Sequence, residues 1–298
     1  QLHMDVMYWT ELFKKDKPAL LLGSTLPDAE SQIPVIVANK QGIKTMSIPH
    51  GIGVIRKIHP YAQKVLCNYR FDKRAYIFSG LSSDRLQHCK NLGVVNEYPA
   101  RSYDSRVGSL DKIKILALTC TTGINDCIFP SQARSSKTLS FKGLMSLIES
   151  EGKRIDVRLK THPHYPDKEL IEASAPNLLE YLLPSDAELL NELECSDLVV
   201  ALDYCGTAII HALSISKPIF LYWEDENLAK ASPYELSSLL LDGGHLIRNS
   251  NQLLKNVVHF IENDDFRSLL SEKSSSFRRE VTDDAGYPTF KELILRTC

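Results

Sequence analysis

The chain has 298 residues, 43% hydrophobic and 24% charged, with a net charge of −2. That balance excludes a disordered chain and a protein drawn to nucleic acid by its overall field. No apolar run approaches the ~18–20 residues that a helical bilayer span needs. Seven cysteines (67, 89, 120, 127, 195, 205 and 298) are odd in number and lack CxxC spacing, which predicts reduced thiols in a cytosolic protein and no zinc site.

Taken in chain order, the pattern alternates strand and helix, which favours parallel α/β layers. Pro18–Gly23 reads as a strand and Ser31–Gln41 as a helix. Ile43–Ile48 is the next strand, ending in Pro49-His50-Gly51. Ala75–Phe78 reads as a strand, and Ser82 to Asn91 as a helix stopped by Gly93. Residues 96–111 lack apolar period and read as a linker between an N-terminal Rossmann-like unit, 1–95, and a C-terminal one, 112–298. The first unit is short for such a fold, being either reduced or part of a longer chain.

The second unit starts with the strand Lys112–Leu118 and the polar loop Thr119–Gly123. Ser140–Ser150 reads as a helix. Ile155–Leu159, Leu178–Leu182, Leu198–Leu202, Pro218–Tyr222 and His245–Ile247 read as strands. Helices are expected near Asp186–Leu193, Thr207–Leu213 and Gln252–Ile261, with a helical tail at Asp265–Arg279 and Phe290–Thr297.

Polar clusters follow several of these strands, and open α/β sheets bind ligands beyond the carboxyl ends of their strands. Lys160, His162 and Pro163 follow Ile155–Leu159; Pro163 keeps His162 out of helical conformation, and both basic groups suit a phosphate. Gly206 and Thr207 open a helix, where exposed N–H groups favour an anion. Thr121, Thr122 and Gly123 could touch the same phosphate. Neither a P-loop nor a GxGxxG fingerprint is present, which argues against NTPase and dehydrogenase readings. His50 is a candidate acid or base. Asp28 and Glu30 are candidate carboxylates, although a helix N-terminus also explains them. Glu224-Asp225-Glu226 suits either sugar hydroxyls or solvent, and His211 reads as structural. There is no Asp-x-Asp site, so no metal is expected.

The sequence resembles the GT-B glycosyltransferases of bacterial surface-polysaccharide synthesis. It is similar to the capsule Kdo-transferase and sialyltransferase group and to the CDP-glycerol glycerophosphotransferases. The likeness lies in Gly42-Ile43-Lys44-Thr45 with Pro49-His50-Gly51, in Gly80 with Leu92-Gly93-Val94, in Lys160-Thr161-His162-Pro163, and in Ser196-Asp197-Leu198 with Gly206-Thr207 and Lys217-Pro218-Ile219. It implies two Rossmann-like units facing a crevice. It implies nucleotide contacts from His162 and Pro163, a phosphate held at Thr207, and a catalytic His50. The expected activity is transfer of a sugar from a CMP-linked donor such as CMP-Kdo to a growing capsule or lipopolysaccharide glycan, or to a glycolipid. The nucleotide sugar is a co-substrate, with no further cofactor. A CDP-glycerol-type phosphotransferase, a UDP-sugar epimerase of the same fold and a non-catalytic glycan- or partner-binding domain remain alternatives. The expected location is the cytoplasm, with attachment to the inner face of the membrane or to a larger enzyme left open.

Overall fold

The computed structural model describes residues 2–24, 29–48, 61–67, 73, 76–77, 80–90, 112–119, 130–162, 167–202, 207–224, 244–282 and 286–297. The chain divides into two compact units, Gln1–Asn96 with Val281–Cys298 and Glu97–Glu280.

In the first unit, α1 (Leu2–Lys15) precedes β1 (Leu20–Ser24), α2 (Ala29–Lys40) and β2 (Lys44–Ile48), and β3 (Lys64–Cys67) and β4 (Leu86–His88) follow. The four strands form a parallel sheet in the order β1-β2-β3-β4. Gly42 turns the chain from α2 into β2 at φ 70°, a conformation that costs glycine no Cβ clash. Phe13 of α1 packs with Ile33, Val37 and Ala38 of α2 and with Ile43. The C-terminal helix Phe290–Thr297 also belongs to this unit, where Leu293 meets Met46, Leu66 and Cys89.

Three sequence expectations change in this unit. Helix α1 is additional. Tyr76 and Ile77, expected in a strand, are helical, and the strand beside β2 is Lys64–Cys67 instead. The helix expected from Ser82 is a single 3-10 turn, Ser83–Arg85, that runs into β4. There Leu86 and His88 are buried and paired in parallel with β3, so sheet packing overrides local helix preference.

The second unit runs β5 (Ile113–Thr119), α3 (Pro130–Glu151), β6 (Ile155–Lys160), α4 (Lys168–Ser174), α5 (Leu189–Cys195), β7 (Leu198–Leu202), α6 (Thr207–Ser214), β8 (Ile219–Tyr222), β9 (His245–Ile247), α7 (Ser250–Glu262) and α8 (Asp264–Thr282), and the helix Phe290–Thr297, which returns to the first unit, is α9. Its parallel sheet has the order β6-β5-β7-β8-β9. Alternate residues Ile113, Ile115 and Ala117, with their neighbours on β6, β7 and β8, bury against Phe141, Leu144 and Leu147 of α3 and Leu253, Val257 and Phe260 of α7. Leu178–Leu182, expected as a strand, is mainly the 3-10 helix Pro176–Tyr181, with one bridge from Leu182 to Leu159. A short apolar run cannot distinguish the two by period alone. Among the described residues no helix is long and apolar enough to cross a membrane.

The rings of Phe220 and Phe266 each stand 5.6 Å from the imidazole of His245, whose Nε2 lies 3.0 Å from Asn256 Oδ1. Burial pushes the His245 pKa down; Asn256 opposes this and the Lys273 cation adds to it. The unfolded chain therefore binds this proton more readily. Stability is lost as pH falls from the ordinary histidine value of about 6.5 through the lower folded value. Thermal unfolding between about pH 7.5 and about pH 5.5 is expected to show a falling midpoint that flattens in His245→Gln. An equal fall in the variant would contradict this.

Candidate functional site

The chain enters the second sheet at β5, steps to β6 on one side, then returns past β5 to place β7 on the other side. Between β5 and β7 the winding reverses, and such a switch point opens a crevice at the carboxyl ends of the strands. The sheet of the first unit follows chain order and contains no reversal among its described strands.

Connections between parallel strands are right-handed. Since β5→β6 and β7→β8 step in opposite directions, α3 and α6 cover opposite faces. Strand alternation agrees. Leu159 packs on the α3 face, whereas Arg158 reaches Glu192 of α5 at 2.8 Å across the other face, and α5 packs beside α6. Lys160 alternates with Leu159 and so lies on the face of Arg158, α5 and α6.

Among the described residues of this unit three lysines are buried. Lys137 gives its ammonium to both oxygens of Asp167, at 2.8 Å each. Lys217 donates to the carbonyls of Glu194 and Ser196, and burial lowers its pKa. Lys160, at 8% exposure, has no hydrogen-bond or ion-pair partner among the described residues. It lies in register with Leu118, which pairs with Ala201. Lys160 is therefore two strand spacings, about 10 Å, from the strand that leads into α6. Its ammonium and the N–H groups at the start of α6 share one face and one edge of the sheet.

Two further polar groups are orphaned at that edge. Thr119, the last residue of β5, is 8% exposed and its Oγ1 has no partner among the described residues. Trp223, directly after β8, buries an unpartnered Nε1–H. Buried polar groups are nearly always satisfied, so each exception calls for an explanation.

On the α3 face, the N-terminal half of the helix is polar where it nears this edge. Ser136, Lys137 and Ser140 are buried there. Gly143 makes room for Tyr222, fully buried, whose hydroxyl donates to the Glu224 carboxylate. A Cβ at residue 143 would overlap that hydroxyl and lie 2.9 Å from Tyr222 Cζ.

Of the expected site, Lys160 ends β6, His162 follows it, and Thr207 opens α6, all toward the carboxyl edge of the second sheet. Thr207 is the first residue of α6, and His162 is half-buried two residues beyond β6. Glu30 lies exposed in the first turn of α2, in the other unit. His50, Asp28, Pro163, Gly206, Thr121, Thr122 and Gly123 lie outside the described residues, as do Asp225 and Glu226. The Lys137–Asp167 and Tyr222–Glu224 contacts were not read from sequence. Asp167 before a short helix signals an N-cap, yet its carboxylate makes no cap bond.

No protein-family model matches the chain. No curated protein matches it. Solved structures do. One is a UDP-GlcNAc 2-epimerase from Neisseria meningitidis bound to UDP-GlcNAc (TM-score 0.60, 10% identity, 99% of this chain and 80% of that one). A second is the glycotransferase of kitacinnamycin (0.57, 14%, 99% and 81%). A third is the wall teichoic acid polymerase TagF, H548A (0.52, 12%, 89% and 69%). At such identity the likeness is one of fold, and it places the two Rossmann-like units in the GT-B class.

Gly143→Ala is expected to cost about 1–3 kcal/mol by overpacking, read by urea unfolding. Adding Tyr222→Phe should recover part of the loss, because it removes the overlapping oxygen. Unchanged stability in the single variant would show that α3 does not abut Tyr222.

Proposed function

We propose that the protein is a nucleotide-sugar-dependent glycosyltransferase whose second unit holds the nucleotide phosphate at the β5/β7 switch point. The single observation that carries this reading is Lys160. It is 8% exposed and makes no hydrogen bond or ion pair among the described residues, so its ammonium is available to an anion at the edge where α6 begins. A helix N-terminus offers unpaired N–H groups and a favourable dipole to the same anion. His162, two residues beyond β6, is the next basic group in the sequence.

In the transfer, the bond from the anomeric carbon to the phosphate oxygen breaks and its electron pair leaves with the nucleotide. Lys160 and the α6 N–H groups offset the charge that develops on the departing phosphate. The acceptor hydroxyl forms the new bond and gives its proton to a base. His50, Asp28 and Glu30 are the sequence candidates for that base. The donor class expected from sequence is a cytidine nucleotide. Uridine is favoured by the neighbour bound to UDP-GlcNAc. That neighbour also favours a second reading, a UDP-sugar epimerase, which would use the same phosphate site and no acceptor.

Calorimetric titration with UDP, CDP and CMP separates these readings. Binding of cytidine nucleotides alone supports the CMP- or CDP-linked donor, and UDP alone moves the assignment to a uridine donor or an epimerase. Incubation with UDP-GlcNAc, followed by product analysis, then distinguishes epimerisation from transfer. No binding of any of the three would overturn the reading.

Lys160→Met supplies a sharper test. A hydrogen bond to a charged group contributes about 1.5–3 kcal/mol, so nucleotide affinity should fall at least tenfold. Thermal stability should hold, because Lys160 makes no hydrogen bond or ion pair among the described residues. Unchanged affinity, or marked destabilisation with affinity retained, would assign Lys160 to the fold instead of the ligand.

A further inference from the structure

We infer that Glu224 is a contact residue of the nucleotide site, its carboxylate accepting hydrogen bonds from hydroxyls of a sugar bonded to the phosphate, with Tyr222 as its positioning residue. The inference rests on the reading that this edge of the second unit binds a nucleotide phosphate.

The fold delivers Glu224 to that edge. Strand β8 ends at Tyr222, and Trp223 extends its pairing by donating its backbone N–H to the Ile247 carbonyl at 2.9 Å. Glu224 is the next residue, at the carboxyl end of the strand, and is half-buried. Lys160 ends β6, on the other side of the β5/β7 switch point. Three strand spacings, about 14 Å, separate these two strands. A cation and a carboxylate thus flank the crevice that the reversal opens. One nucleotide sugar carries a group for each: an anionic phosphate, and the hydroxyls of a sugar bonded to it.

The carboxylate is held in place from below. Tyr222 is fully buried, and its hydroxyl donates to Glu224. Helix α3 abuts that hydroxyl at Gly143, where even a Cβ would overlap it. An ionised carboxylate is an acceptor with about four lone-pair sites, and among the described residues Tyr222 is its one partner. The remaining sites suit paired hydroxyl donors, and hydrogen bonds to an ionised acceptor are the stronger kind.

A second polar group stands in the same row. Thr119 pairs with Leu202, and Leu202 with Tyr222. Thr119 alternates with Ile113, Ile115 and Ala117, so it shares the α3 face with Tyr222. It is 8% exposed, and its Oγ1 has no partner among the described residues. Ligand hydroxyls are donors and acceptors at once and suit both groups, whereas a phosphate here would be repelled by the carboxylate.

The test compares calorimetric affinities for inorganic pyrophosphate, UDP, CDP, CMP and UDP-GlcNAc in the full chain and its variants, with thermal unfolding alongside. Glu224→Gln keeps the size of the side chain and removes its charge. Affinity for the bound nucleotide or nucleotide sugar is expected to fall about tenfold. Pyrophosphate should bind as before or more tightly, because a repelling charge is gone. Loss with a nucleotide assigns the hydroxyls to its ribose, and the 2′-deoxynucleotide should then bind parent and variant alike. Loss with UDP-GlcNAc alone assigns them to the donor sugar. Tyr222→Phe should weaken the same ligand several-fold, with little further loss when it is added to Glu224→Gln. It also decides the matter if Glu224→Gln fails to fold. Additive losses would overturn the positioning role of Tyr222. Parent-like affinity of folded Glu224→Gln for every nucleotide and for UDP-GlcNAc, or an equal loss with pyrophosphate, would overturn the contact and leave the nucleotide reading intact. No nucleotide binding by the unaltered chain would overturn the nucleotide reading, and this inference with it.

Discussion

Taking an ammonium group out of water costs several kcal/mol unless something in the interior replaces its hydration. The second unit buries three lysines and replaces that hydration for two of them, by a carboxylate in one case and by helix carbonyls in the other. Lys160 is the exception among the described residues. A fold can hold such a group only because the rest of the sheet is over-determined. All five residues of β7 and all four of β8 are buried, and β5 is buried at every position but Lys114. The stability of that slab supports a cation at its rim that no described residue pairs, where a ligand can meet it.

Helix α3 links this slab to its rim. Its inner face changes character along its length. Lys137, Ser136 and Ser140 lie toward the carboxyl edge of the sheet, with Phe141, Leu144, Leu147 and Ile148 deeper. The apolar part fixes the helix, and the polar part then acts on both flanks of the switch point. Lys137 holds Asp167 at the start of α4. Gly143 receives Tyr222, whose hydroxyl holds Glu224 after β8. Rigidity made by packing is thereby passed to polar groups that packing alone would not orient.

The sequence disclosed the elements whose local pattern and tertiary fate agree. Strands β5 to β8 are apolar runs bounded by turn residues, and they lie where they were expected, as does the start of α6 at Thr207. Lys160 could be placed at a strand end for the same reason. The misreadings fall where short segments are decided by neighbours. Leu178–Leu182 is apolar enough for a strand, but Pro176 and the packing of Leu178 under α3 make it a 3-10 helix. Strand β3 has only four residues and exists because β2 and β4 flank it. Nothing local marks Lys137 as buried, because its partner is thirty residues away. The same holds for the room that Gly143 leaves for Tyr222. The orphaned state of Lys160 was equally illegible, since absence of a partner is a property of the folded neighbourhood.

The GT-B fold alone does not select the reaction. Neighbours of similar TM-score carry the names of an epimerase, a glycotransferase and a polymerase. Sites are grafted on folds, and the chemistry follows the groups at the site. What topology does supply is location. The first sheet winds in one direction and the second reverses at β5, so the switch-point rule assigns a crevice to the second unit. The buried cation, the start of α6 and the unpartnered Thr119 hydroxyl are found at that same edge without having been used to choose it. Topology and electrostatics are independent consequences of the sequence, and their agreement on one strand end is what supports proposing a phosphate site in this unit.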